Sequence, residues 1–144
     1  MKVELENVQP KEIETRSFEI ITEELGDTPL IPGTELIVKR CIHTSADFDY
    51  AENLCFSPDA VEKAIEAIKN GACIVTDTQM AKAGINKKAL AKYGGEVFCF
   101  MSAEDVAAKA KECGCTRATA SMDKAASMGK PLIFAIGNAP TRCV

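Results

Sequence analysis

The sequence predicts an α/β fold, a three-layer α/β/α arrangement built on a mainly parallel sheet. Two observations carry that expectation. Short apolar runs bounded by turn residues recur at ACIVTD (72–77), EVFCFM (96–101) and PLIFAIG (131–137), as buried strands do. Between them lie stretches with helical apolar spacing and good N-cap residues at their heads. Strands separated by helices join as parallel neighbours through crossovers. With 144 residues the chain is expected to be one domain, 1–144, large enough to bury a core.

Element by element, residues 10–25 set Ile13, Phe18, Ile21 and Leu25 among charges, a helical pattern. GDTPLIPG (26–33) is dense in Gly and Pro and reads as a loop. From Glu35 to His43 the apolar residues Leu36, Ile37, Val38, Cys41 and Ile42 read as helix despite their β-branching. For the next helix Ser57 is the expected N-cap, Pro58 the first helical residue, and Asp59 a charge suited to the positive end of the dipole. Phe56 is placed to staple onto Val61, with Val61, Ile65 and Ile68 on the inner face and Gly71 as the stop. After the first strand, residues 78–83 form a short helix closed by Gly84, and Asn86 caps another that ends at Gly94–Gly95. Ser102 with Asp105 offers an acidic variant of the capping box for the helix after the second strand. A last helix runs from Thr116 to about Met128, ahead of the most apolar strand of all.

Composition narrows the function classes. Apolar residues are 47% and charged residues 26%, the balance of a soluble globular protein. No apolar run reaches the roughly 18 residues that span a bilayer, so no membrane partner is expected. The acidic N-terminus lacks the apolar core of a secretory signal, which makes the cytoplasm the expected address. A net charge of −4 argues against nucleic acid. Seven cysteines suggest metal or redox chemistry, but the spacing does not. Cys41, Cys55, Cys73 and Cys99 sit singly in apolar runs as small hydrophobes, and Cys113-Gly114-Cys115 is too tight for a zinc knuckle. Reduced, structural thiols and no metal site are expected.

In open α/β sheets ligands gather beyond the carboxyl ends of the strands. Those exits are Thr76-Asp77-Thr78, Ser102 and Gly137-Asn138-Ala139-Pro140-Thr141. The first can hold a carboxylate or phosphate at a helix start, or Asp77 or Thr78 can simply cap that helix. The last has turn chemistry with little bulk, which suits a flat ligand or an ordinary turn. His43 is the only histidine, set between two basic residues upstream and two carboxylates downstream, and a lone histidine is often only structural. Among the dispersed cations Arg16, Lys39, Arg40 and Arg117, the last opens a helix where a positive charge opposes the dipole. That misfit hints at another use.

Residues 40–85, RCIHTSADFDYAENLCFSPDAVEKAIEAIKNGACIVTDTQMAKAGI, resemble the precorrin-8X methylmutase family closely. Arg16-Ser17-Phe18 is similar to the family's R-S-F, and Thr116-Arg117 and Ile136-Gly137-Asn138-Ala139-Pro140-Thr141 also match. The resemblance implies that family's fold and an isomerase of cobalamin biosynthesis. Such an enzyme moves a methyl group around ring C of precorrin-8X or cobalt-precorrin-8, giving hydrogenobyrinate or cobyrinate. The shift is formally 1,5-sigmatropic and needs no cofactor. By the same resemblance His43 is the proton donor. Arg16, Arg40 and Arg117 are the expected partners of substrate carboxylates. Ser17, Thr44, Thr76, Thr78 and Asn138 are the expected polar contacts. A homodimer is implied as well. Family members continue past G-N-A-P-T through a helix and a glycine-rich strand, so this chain reads as C-terminally truncated. The alternatives are a non-catalytic tetrapyrrole-binding homologue and an unrelated flavodoxin-like binder, for which no phosphate loop or stacking aromatic is evident.

Overall fold

In the computed structural model residues 9–10 and 12–138 are described, and the chain divides into two compact units, Met1–Val61 and Glu62–Val144. Residues 139–141 of the last predicted strand exit, and Cys143, lie outside the described residues.

The first unit is helical: α1 (Ile13–Leu25), α2 (Glu35–Ser45) and the short α3 (Tyr50–Asn53), which the sequence reading did not anticipate. Helical spacing decides its packing. Ile21 and Leu25 on α1, and Val38 and Ile42 on α2, are i,i+4 pairs that bury together, with Phe18, Leu30, Phe48 and Phe56 packed against them. Each such side chain contributes about 1.5–3 kcal/mol on burial. Ile13, the first apolar residue of that helical pattern, is 52% exposed, and the buried contact begins further along α1. The chain leaves α1 at Gly26, whose φ of 52° and ψ of −125° suit a residue without Cβ. Thr34 precedes α2, but its hydroxyl donates to Ile31 O (2.7 Å) rather than capping the helix.

The second unit continues α4 (Ala60–Lys69) and adds β1 (Cys73–Thr76), α5 (Gln79–Gly84), α6 (Lys87–Ala91), β2 (Val97–Phe98), α7 (Glu104–Glu112), α8 (Arg117–Ala126) and β3 (Leu132–Ala135). The three strands form one parallel sheet in the order β2-β1-β3, so the α/β class and parallel sheet are as expected. Central β1 is the most buried, with Cys73, Val75 and Thr76 almost wholly enclosed. A Cβ on Gly95, just before β2, would collide with the Ala72 carbonyl and the Leu90 side chain, so only glycine admits that close approach. Val106, Ala110 and Ala120 join α7 to α8, with Phe100 and Cys115 alongside. Among the described residues no helix is long and apolar enough to cross a membrane.

Several local expectations are corrected. Ser57 does not cap α4: Ser57–Ala60 is a turn, with Ala60 N–H donating to Ser57 O (3.1 Å) and Asp59 at φ 57°, so the helix begins at Ala60. Ile65, assigned to the inner face, is 48% exposed, and Phe56 packs on the first unit's core. The α6 helix stops at Ala91, short of Gly94–Gly95. The second strand is only Val97–Phe98, paired with Ile74 and Val75 of β1, and residues 99–101 lie outside the sheet. Ser102 and Asp105 form no capping box: Ala103 holds the cap position without a side-chain bond, and Ser102 Oγ instead accepts from Gln79 Nε2 (3.3 Å). Cys55, read as a small hydrophobe within an apolar run, is exposed. The six described cysteines are free thiols.

Candidate functional site

Helix geometry brings the predicted histidine to an edge of the first core. Because α2 turns Val38 and Ile42 inward, His43, one residue beyond Ile42, stands half-buried at the core margin. On α1, Ser17 lies one turn before Ile21 on the same face. The two meet: Ser17 Oγ is 2.7 Å from His43 Nδ1, and the Phe18 and His43 rings form a T-shaped pair with centroids 5.8 Å apart. His43 Nε2 makes no hydrogen bond to any described residue. The ring borders an open groove of about 360 Å³. Arg16, Ser17, Ile20, Ile42 and Phe48 line it too.

One turn back on both helices a second contact repeats the pattern. Arg40 donates to both Glu14 carboxylate oxygens (2.8 and 2.9 Å), and its guanidinium lies 5.2 Å above the Phe18 ring. The Arg40 bond holds the Glu14 carboxyl below its ordinary range, with a small addition from His43, and Glu14 in turn raises Arg40. Arg40 is therefore engaged within the protein. Arg16, bordering the groove, pairs with Glu19 at 3.1 Å. The Thr44 hydroxyl bonds back to the carbonyls of Cys41 (2.9 Å) and Arg40 (3.2 Å).

The other candidates belong to the second unit, where parallel strands put three exits on one sheet edge. Thr76, at the end of β1, is fully buried, and its hydroxyl faces the carbonyls of Thr78 (2.9 Å) and Phe98 (3.3 Å). Thr78 is the N-cap of α5, accepting from Ala81 N–H at 3.1 Å. Thr78 therefore does cap its helix. Asp77 does something else: its two carboxylate oxygens accept the N–H groups of Gly137 (2.9 Å) and Asn138 (2.8 Å) just after β3. Arg117 is the first residue of α8, exposed, with no ion pair or hydrogen bond to a described residue. Thr116 caps that helix by accepting from Thr119 N–H (3.2 Å).

The structure thus joins Ser17 to His43 and gathers Thr76, Thr78 and Asn138 about Asp77. Sequence reasoning missed Glu14 as the partner of Arg40, and it considered Asp77 only as a cap. A carboxylate at a strand exit beside a residue better suited to capping was the available signal for Asp77. For Glu14 there was none, since 26 residues separate it from Arg40. Among the described residues no cluster of His, Cys, Asp and Glu could hold a metal ion.

A parallel-sheet α/β protein with one histidine braced by a serine in an open groove is the class these features define. A profile of the family described as precorrin-8X methylmutase matches residues 12–144, and the chain belongs to that family. It is 48% identical over 134 residues to a cobalt-precorrin-8 methylmutase of Priestia megaterium, covering 93% of this chain and 60% of that protein. With a cobalt-precorrin-8 methylmutase of Salmonella typhimurium the identity is 44% over 139 residues, 92% of this chain and 66% of the relative. A solved precorrin-8x methyl mutase from Thermus thermophilus superposes with a TM-score of 0.82 at 37% identity, covering 92% of this chain and 64% of the other. The chain spans 60–66% of the length of the first of these curated relatives.

Proposed function

We propose that this chain supplies the histidine-bearing part of an isomerase of corrin synthesis, acting on precorrin-8X or cobalt-precorrin-8 as its named relatives do. The methyl group migrates between neighbouring carbons of ring C, and no net oxidation or hydrolysis occurs. His43 gives a proton to the macrocycle and so polarises it for the shift. The observation that carries this reading is the division of labour on the imidazole: Nδ1 is held by Ser17 at 2.7 Å while Nε2 has no described partner. When Ser17 donates to Nδ1, the neutral ring carries its proton on Nε2. In the imidazolium both nitrogens carry one and Nδ1–H donates to Ser17. Both of these states carry Nε2–H at the groove, whereas the neutral Nδ1–H tautomer, which donates to Ser17, leaves Nε2 there as an acceptor.

In the first unit the substrate-binding residues of this reading are Arg16 and Ser17 at the groove, with Thr44 contributing through the backbone it braces. Taken by itself, the second unit offers Thr78, Asn138 and Arg117, with Thr76 bracing the backbone beside them. Arg40 orders the helix pair more than it meets carboxylates, because Glu14 already occupies its fork. A homodimer in the cytoplasm is part of the same reading. Exposed Leu36 and Ile37 on α2 are the apolar surface consistent with self-association.

The test is titration of the 144-residue chain with hydrogenobyrinate, followed by visible absorbance, beside His43→Ala. Saturable binding with a spectral shift that the substitution weakens, and turnover of precorrin-8X reduced about 10²–10⁴-fold by it, are expected. A folded chain that neither binds nor turns over would remove the catalytic reading.

A further inference from the structure

Asp77 is a carboxylate at 5% exposure, standing where β1 ends. A buried carboxylate is costly unless hydrogen-bonded. Here one oxygen accepts Gly137 N–H and the other Asn138 N–H, 60 and 61 residues away in sequence, beyond the end of neighbouring β3. Bonds from backbone N–H to an ionised carboxylate are about twice as strong as neutral ones. The β1–β3 ladder reaches this point through Asp77 N–H to Ala135 O (3.4 Å). The segment after β3 is therefore anchored at both Ala135 and residues 137–138.

We infer that Asp77 is a positioning residue: its carboxylate fixes the Gly137-Asn138 turn at the sheet's carboxyl edge so that the Asn138 side chain is presented, pre-set, to a corrin-type polycarboxylate. This rests on the proposed function for the identity of the ligand. Two details separate it from simple capping. Thr78, not Asp77, caps α5, so the Asp77 carboxylate is released from the local role open to it. Gly137 and Asn138 are themselves exposed, yet both N–H groups turn inward to the carboxylate, leaving the outer side of the turn for a ligand. Asp77 touches no substrate on this account and acts through Asn138.

Amide exchange measured by NMR on the unsubstituted chain tests the clamp without any mutation. The Gly137 and Asn138 amides should exchange at least about tenfold more slowly than open amides, although both residues are at the surface. Fast exchange at both overturns the proposal. Hydrogenobyrinate titration of Asp77→Asn, Asn138→Ala and the double variant tests the positioning. Each single change should weaken binding about tenfold, since Asp77→Asn loses a charge-assisted bond. In the Asn138→Ala background Asp77→Asn should cost less than about twofold, a coupling that a purely structural loss would not show. Equal cost in both backgrounds overturns the proposal. If Asp77→Asn does not fold, Asp77→Glu takes its place in the cycle, because it keeps the charge and moves the oxygens. A chain with slow amides that binds no hydrogenobyrinate contradicts the functional reading, and this one with it, and is told apart by the amides.

Discussion

Ser17 and His43 form the smallest unit with chemical meaning in this protein. A hydroxyl at 2.7 Å from Nδ1 restrains the ring, and Phe18 packs against it in a T-shaped pair with centroids 5.8 Å apart. Ser17→Ala should leave the fold intact and lower turnover about tenfold or more while changing hydrogenobyrinate affinity little, because orientation matters most in the reacting state. A matched fall in affinity and rate would instead make Ser17 a ligand-binding residue. Beside this pair, Glu14 and Arg40 make an exposed fork whose effect depends on pH. The Arg40 hydrogen bond lowers the folded-state pKa of Glu14 from its ordinary value of 4.5. A depressed acid stabilises the folded state above its unfolded-state pKa and loses that contribution as pH falls through the folded value. Urea unfolding of Glu14→Gln should therefore differ from the parent at pH 7, and the difference should shrink below about pH 4.5 and vanish in stronger acid. A difference that persists unchanged at acid pH would rule out the ionised pair as its source. None of these contacts was legible locally. Each joins α1 to α2 across 25 or more residues, and sequence periodicity reports only which face of a helix is apolar, not which polar residues on two faces coincide.

At the scale of elements, capping decides how well the helices could be read. Thr78, Asn86 and Thr116 are extended or non-helical residues whose side chains accept the N–H three residues on, and their helices begin where the sequence placed them. Ser57 and Ser102 have the same chemistry and do not cap. At Ser57 the following Pro58-Asp59 closes a tight turn first, with Asp59 at positive φ. At Ser102 the chain is still turning after β2, with Ala103 N–H donating to Phe100 O (3.0 Å), so the helix starts two residues beyond it. Composition alone cannot distinguish a serine at a cap from one a turn too early. Thr116→Ala should then cost about 1 kcal/mol of stability, while Ser102→Ala, which loses one exposed bond, should stay within about 0.5 kcal/mol. Denaturant midpoints for the two variants check this, and a larger loss at Ser102 would mean that it carries more than its bond to Gln79. The strands were easier to find, because central β1 is buried on both faces and reads as a continuous apolar run. Their lengths were not, since pairing and not composition decides where a strand stops: β2 ends at Phe98, opposite Val75, one residue before β1 does.

For the whole molecule the governing fact is charge. A chain of net charge −4 repels a polycarboxylate on average, so the ligand proposed above would have to be held by cations left available locally. The three arginines singled out by resemblance are not equal in this respect. Arg40 is held bidentately by Glu14 and lies over Phe18, and Arg16 pairs with Glu19. Arg117 alone of the three has no hydrogen bond or ion pair to a described residue, and it stands at the head of α8, where a cation opposes the helix dipole. A charge kept unpaired in a locally unfavourable place gains from an incoming carboxylate without first breaking a bond. Arg117→Ala should accordingly weaken hydrogenobyrinate binding about tenfold or more. Arg40→Ala should weaken it less, and should lower stability instead. Salt sharpens the comparison. Exposed charges are screened over about 8–10 Å at 0.10–0.15 M, so affinity of the parent chain should fall as NaCl is raised. The slope of that fall should flatten in Arg117→Ala and stay close to the parent's in Arg40→Ala. Were the slope to flatten for Arg40→Ala and not for Arg117→Ala, the fork with Glu14 would have to open on binding, and the carboxylate would be read on α2, one turn from His43.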